Sequence, residues 1–277
     1  HQLSVFDLDK SAIERMVEKG SVAQKSLKEI AACCDLIFLC LPTSDYVRKA
    51  IFGEDGLGSE LRAGTMIIDQ TSGDPNATRA MAAELEQKGV DMIDAPVSGG
   101  AKGAEAGTIA IMLGASTKQF ERVQPVLKSI SPNLFHAGDV GAGHAMKCVN
   151  NMISGAQRLL TYEGMALAVK FGVDRRKAVE ILLAGGARNS FMEKILEPKV
   201  INGDLSLGFT LSLAHKDVRI ACKLASESGV PLLYGNLTQN YYQICINEMG
   251  GDAEVETAGL VVDRLTGSEV VPKNYKL

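Results

Sequence analysis

An α/β domain built on a parallel sheet, followed by an all-α helical domain and joined to it by a long interdomain helix, is the architecture this sequence predicts. Three observations predict it. Short continuous apolar runs alternate with helical patterns through the first half of the chain, as strands buried on both faces of a parallel sheet do. After Gly143 the strand signals stop, and helical periodicities alone follow to about Gly250. One of these begins near Gly141 and reads as the bridge between the two parts. The boundary is expected at 141, giving an α/β domain over residues 1–141 and an all-α domain over 142–277.

In order, Leu3 to Asp7 reads as a strand and Lys10 to Lys19 as a short helix ended by Gly20. Cys34 to Leu41 is a continuous apolar strand stopped by Pro42. Leu57 and Gly58 fall in a loop, and Thr65 to Asp69 is another apolar strand. Pro75 to Lys88 is a helix: Asp74 is a natural N-cap, proline is tolerated in the first turn, and Gly89 lies beyond the end. Val90 to Ile93 is a strand, followed by the Gly-rich connection Ser98 to Gly107 and the strand Thr108 to Leu113. Thr117 to Ser129 reads as a helix and Asn133 to His136 as a short strand. The later helices are His144 to Phe171, Asp174 to Leu183, Ser190 to Val200, Leu211 to Ser228 and Leu232 to Glu248. The tail from Val270 to Leu277 is expected to be loosely held.

Composition narrows the function classes. The 277 residues are 46% hydrophobic and 22% charged, enough apolar material for a full core and too much for a disordered chain. Lys plus Arg number 29 against 33 Asp plus Glu, a net charge of −4 that gives no footprint for nucleic acid or an anionic membrane. The longest apolar run, Leu36 to Leu41, is strand-sized rather than membrane-sized. No signal or transit segment is visible, and the chain reads as soluble and cytoplasmic. The six cysteines have no C-x-x-C spacing and the four histidines are dispersed, so no metal site is expected and the thiols read as free and buried.

Two local features carry chemistry. Asp94-Ala95-Pro96-Val97-Ser98-Gly99-Gly100 follows a strand, and its glycines let backbone approach a ligand. Successive N–H groups with the Ser98 hydroxyl are suited to a carboxylate. A Gly-rich connection with no ligand has the same composition. The second feature is Gly143-His144-Ala145-Met146-Lys147-Cys148-Val149-Asn150-Asn151. Lys147 and Asn151 are four apart and share one helix face, where two domains meet and ligands are favoured. Flanked by Met146, Cys148 and Val149, the lysine is placed for partial desolvation, which lowers an ammonium pKa from about 10.4. A solvated lysine near a helix start is the plainer alternative.

The order and spacing of Asp94 to Gly100, of Gly143 to Asn151, and of Gly208-Phe209 with His215-Lys216-Asp217 resemble those of the β-hydroxyacid dehydrogenases. This is the 3-hydroxyisobutyrate dehydrogenase family, which includes tartronate semialdehyde reductase and sulfolactaldehyde reductase. The likeness runs from Val5-Phe6-Asp7 to the helices beyond Lys216. It implies a Rossmann-like first domain, a helical substrate and oligomerisation domain, and NAD(P)-linked interconversion of a short β-hydroxy acid and its semialdehyde. It implies a homodimer or homotetramer, and makes Lys147 the general acid/base. Asn151 would orient the substrate, Ser98, Gly99 and Gly100 would hold its carboxylate, and Phe209 and Asp217 would line the site. Leu41, Pro42, Thr43 and Tyr46, with Thr71, Ser72 and Lys216, match the cofactor contacts.

Asp7 ends what corresponds to the second strand of a dinucleotide fold, where a carboxylate accepts from the ribose hydroxyls of NAD and repels a 2′-phosphate. NADP-preferring relatives have Asn-Arg-Thr there, so NAD is expected, with NADP possible; a solvated loop carboxylate is the alternative. The family opens with a strand and a Gly-x-Gly-x-x-Gly turn that nothing before Asp7 provides. The expectation is that roughly 25–30 residues are missing from the sequence as written, a βα unit's worth. A real truncation would remove a central strand and weaken cofactor binding.

Two other functions are compatible with this fold. A non-catalytic cofactor-binding or interaction scaffold of the same fold loses this lysine, as imine reductase-like members do, and Lys147 argues against both. Arg188 reads either as a partner for a second anionic group on the substrate or as a surface arginine. Met165, Leu167 and Val169 read as core or as subunit interface.

Overall fold

The central strands form where Ile, Leu, Met and Phe run together, and the computed structural model, which describes residues 2–277, places the strands in two sheets. Ser4–Val5 (β1) and Val22–Ala23 (β2) pair in parallel around helix α1, Lys10–Val17, whose N-cap Asp9 accepts from Ser11 N–H at 2.9 Å. Helix α2, Leu27–Cys33, leads to β3, Leu36–Leu39; α3, Ser44–Phe52, leads to β4, Met66–Asp69; α4, Pro75–Glu86, leads to β5, Asp91–Asp94. The Asp74 carboxylate caps α4 by accepting from Asn76 and Ala77 N–H, as the sequence predicts.

Beyond β5 the sheet departs from expectation. The short strand β6, Val97–Ser98, and helix α5, Gly100–Glu105, intervene before β7, Ala110–Gly114. β7 then runs antiparallel to both β5 and β6, so the sheet is mixed rather than parallel. Residues 95–109 are spent on β6, which pairs with β7, and on one short helix, so no helix crosses the sheet face to return the chain in parallel. Part of the predicted Gly-rich connection is therefore helix. A capping box at Ser116 and Gln119 starts α6, Thr117–Ile130, and β8, Leu134–Gly138, adds in parallel to β7.

β4 is buried along its whole length because both sheet faces are covered. Ile67 packs with Ile37, Val47, Ile51 and Met81 on one face, while Met66 and Ile68 pack with Ile93, Ile111 and Leu127 on the other. Each such fully buried side chain contributes about 1.5–3 kcal/mol.

The chain separates into two compact units at Lys147/Cys148, a few residues after the expected boundary. Helix α7, Ala142–Lys170, starts in the first unit and continues into the second. There follow α8 (Arg175–Ala184), α9 (Leu211–Glu227), α10 (Leu233–Met249) and α11 (Ala258–Thr266), the last unanticipated. The helix expected over Ser190 to Val200 is a π turn, Met192–Leu196, and a 3₁₀ turn, Val200–Asn202, with Pro198 between them. This unit's core gathers Tyr162, Met165, Val179, Leu196, Val218 and Tyr242.

Two further expectations are corrected. The tail is held: Val270 and Val271 are buried, and Lys276 donates its N–H to Gly203 C=O at 2.6 Å. Of the six free thiols only Cys148 and Cys245 are buried, while Cys33 and Cys40 are exposed. Cys33 ends α2 and Cys40 follows β3, positions where side chains leave the core.

Candidate active site

The loops after β3 and β4 are fastened to each other. Leu41 N–H donates to Thr71 Oγ1 at 3.1 Å, and Thr71 N–H donates to Asp69 Oδ1 at 2.9 Å. Pro42 and Thr43 follow Leu41 directly; Thr43 caps α3 by accepting from Tyr46 N–H, leaving the Tyr46 ring exposed. Ser72 follows Thr71, which is itself buried. These loops leave the carboxyl ends of adjacent parallel strands, where an open α/β sheet holds a dinucleotide. The donors and small side chains suit such a group. Asp7, just beyond β1, is exposed, and its carboxylate accepts from Asp9 N–H at 2.8 Å.

Ser98 ends β6, opposite Ala110. Gly99 and Gly100 have φ of 140° and 65°, a left-handed backbone that side chains resist, so glycine is required where the chain turns into α5. No side chain caps that helix.

The start of α7 is held from below by Asp94. Its Oδ1 accepts from Gly141 N–H and its Oδ2 from His144 N–H, each at 2.6 Å. Lys147, half-buried, follows His144 by three residues. One turn further, Asn151 Nδ2 donates to Asp217 Oδ2 at 2.6 Å, and Lys216 Nζ lies 3.2 Å from Asp217 Oδ1. The second unit therefore joins three of the predicted residues, Asn151, Asp217 and Lys216, in one polar chain. Phe209 packs against the helical core, and its N–H, with those of Leu207 and Gly208, donates to the Glu254 carboxylate.

Arg188 pairs with Glu193 on the exposed surface, which removes the argument for a second anionic group on the substrate there. Asn189 braces its own loop, donating to Thr161 Oγ1 at 3.2 Å. Sequence reasoning missed Asp69, His144 and Glu254. The signal available for the first two was an acid at the end of one apolar strand and a histidine at a helix start. Burial pushes the Asp69 carboxyl above the usual carboxylate range, against the opposing pull of His144 and Thr71.

A sheet whose parallel strand ends carry these loops suits a dinucleotide, and the comparisons with known proteins place the chain among NAD(P)-dependent oxidoreductases. The profile of the NAD binding domain of 6-phosphogluconate dehydrogenase matches residues 1–138, and that of the NAD-binding region of NADP-dependent 3-hydroxyisobutyrate dehydrogenase matches 141–260. The chain belongs to the β-hydroxyacid dehydrogenase family. It is 40% identical to 2-(hydroxymethyl)glutarate dehydrogenase of Eubacterium barkeri over 82% of this chain and 75% of that protein. It is 32% identical to 3-sulfolactaldehyde reductase of Escherichia coli K12 over 87% of this chain and 81% of that protein. The structure of Mycobacterium tuberculosis 3-hydroxyisobutyrate dehydrogenase with L-serine superposes with a TM-score of 0.84 at 27% identity, covering 95% of this chain and 91% of that one.

Proposed function

We propose that this enzyme interconverts a short-chain β-hydroxy acid and its semialdehyde, 3-hydroxyisobutyrate, tartronate semialdehyde or a close analogue, with Lys147 as the general acid/base. The observation that carries the reading is Lys147 one helical turn before Asn151, whose amide is fixed by the buried Asp217 carboxylate at 2.6 Å. Lys147 Nζ takes the proton of the β-hydroxyl during oxidation and returns it to the aldehyde oxygen during reduction. Asn151, held by Asp217, presents its remaining amide valences to the substrate. Ser98, Gly99 and Gly100 bind the carboxylate, and Phe209 supplies an apolar wall.

The nicotinamide cofactor, when bound, accepts or supplies the hydride. Leu41, Pro42, Thr43, Tyr46, Thr71, Ser72 and Lys216 hold it, and Asp7 favours NAD over NADP by repelling a 2′-phosphate. Residues 1–141 serve as its domain, and 142–277 as the substrate and oligomerisation domain.

A homodimer or homotetramer is supported by exposed apolar residues on α7 (Val149, Ile153, Leu160, Leu167), just beyond it (Phe171) and on α10 (Leu233, Tyr234, Leu237), surface that water disfavours. Molar mass in solution checks it. A cytoplasmic location fits the six free thiols; among the described residues no helix is long and apolar enough to cross a membrane.

Lys147→Ala tests the chemistry. Its kcat should fall by about 10²–10⁴-fold while NADH affinity, read by fluorescence titration, stays unchanged. Near-normal turnover would remove Lys147 from the mechanism.

A further inference from the structure

We infer that the buried cluster Asp69–His144–Asp94 is a positioning device that locks the first turn of α7, and Lys147 with it, onto the strand ends bearing the cofactor loops. The inference rests on the role proposed above for Lys147.

Asp69 and Asp94 are register partners at the ends of β4 and β5, and both are 0% exposed, as is His144. Burying carboxylates costs several kcal/mol apiece, so packing alone does not explain two of them side by side. Asp94 recovers that cost at the N-terminus of α7, where backbone N–H groups and the helix dipole favour an anion. Its seat is cut by glycine. A Cβ at Gly114 would lie 2.3 Å from Asp94 Oδ1, and one at Gly143 would lie 2.9 Å from Asp94 Oδ2 and 2.3 Å from Met112 C=O.

His144 completes the connection. Its Nδ1 is 2.9 Å from Thr78 Oγ1, and the Thr78 hydroxyl donates to Asp74 C=O at 3.1 Å, so the hydroxyl accepts from Nδ1–H. This leaves Nε2 facing Asp69 Oδ2 at 4.0 Å, with neither atom in a hydrogen bond. A hydrogen bond between them would need an approach of about 1 Å. The other Asp69 oxygen holds Thr71 N–H, and Thr71 Oγ1 holds Leu41 N–H. A path of contacts therefore runs from both cofactor loops through Asp69, across its 4.0 Å approach to His144, to the helix turn that carries Lys147. Positioning errors of about 1 Å cost catalysis up to about a hundredfold, which is what such a path guards against.

The test separates positioning from folding. His144→Asn keeps a donor for Thr78 and deletes the arm toward Asp69, whereas His144→Gln keeps an amide in reach of Asp69. H144N should lower kcat by roughly 10–100-fold, with KM for the hydroxy acid and Kd for NADH within about twofold, and H144Q should recover most of the loss. If H144N does not fold, Asp69→Ser replaces it. That variant keeps an oxygen that can accept from Thr71 N–H, is too short to reach His144, and should show the same split between kcat and KM. Wild-type kcat in folded H144N or in D69S, or equal losses in kcat, KM and Kd, would reduce the cluster to packing. Lys147→Ala is measured alongside. If it too leaves turnover intact, the mechanism itself has failed; if it alone abolishes turnover, only the positioning role has.

Discussion

The helical unit buries Arg158 against Glu256 at 3.1 Å, whereas the sheet unit seats Asp94 and Asp69 on backbone N–H groups. Around Arg158 and Glu256 the account closes. Glu256 Oε2 accepts from Tyr162 Oη at 2.7 Å, Arg158 Nη1 donates to Tyr242 Oη at 3.3 Å, and Tyr242 Oη donates to Gly155 C=O at 3.4 Å. In the sheet unit His144 Nε2 and Asp69 Oδ2 are left over. The closed network fixes α7 and α10 against the turn at Val255–Thr257 and has nothing to spare for a ligand. The open one lies directly behind the loops after β3 and β4, which are proposed to hold the cofactor. The contrast is between a buried charge network that is saturated and one that keeps unpartnered atoms.

Glu256→Gln should break this comparison most forcefully. It leaves the Arg158 cation buried without its counter-charge and should destabilise the protein by about 3–5 kcal/mol in urea unfolding. A loss below about 1 kcal/mol would mean that the network is not the helical unit's anchor.

Alkaline titration comes next. Burial, reinforced by Glu248, pushes the Cys245 thiol from its ordinary value of 9.0 up to about 12. Burial with Glu163 pushes Tyr241 from 10.0 up to about 12. The unfolded groups ionise first, so stability present below about pH 9 should be lost as pH rises toward about 12. Tm measured across that range should fall, and Cys245→Ala should flatten the slope by about one proton. An unchanged slope in that variant would take Cys245 out of the alkaline transition.

The smallest effect is expected at the rim of the sheet unit. Asp7 is exposed, so Asp7→Ala should shift the NAD-to-NADP preference by only about fivefold, the scale of a solvated charge contact. An unchanged ratio of kcat/KM values would show that Asp7 does not read the ribose.

Features set by neighbouring residues were legible in the sequence. Asp74-Pro75 and Gly89 bracket α4, and the four-residue spacing of Lys147 and Asn151 puts both on one face of α7. What required distant partners was not. The direction of β7 depends on how segment 95–109 is used, and the Asn151–Asp217 bond joins residues 66 positions apart. Asp94 looked like part of a ligand loop because its true partners, Gly141 and His144, lie 47 and 50 residues onward. Short α11 went unseen because nine residues carry little periodicity, and it is the core around Tyr162 that stabilises them.

The held tail has a consequence during synthesis. Leu205 N–H donates to Lys276 C=O at 3.0 Å, and Val270 and Val271 fill the core beneath. The contacts described within the sheet unit, which ends at Lys147, need nothing beyond the first turns of α7. Those described within the helical unit are incomplete until the segment from Val270 to Lys276 has left the ribosome. Any pause in translation there falls on the half of the chain that still shows its hydrophobic interior to the cell.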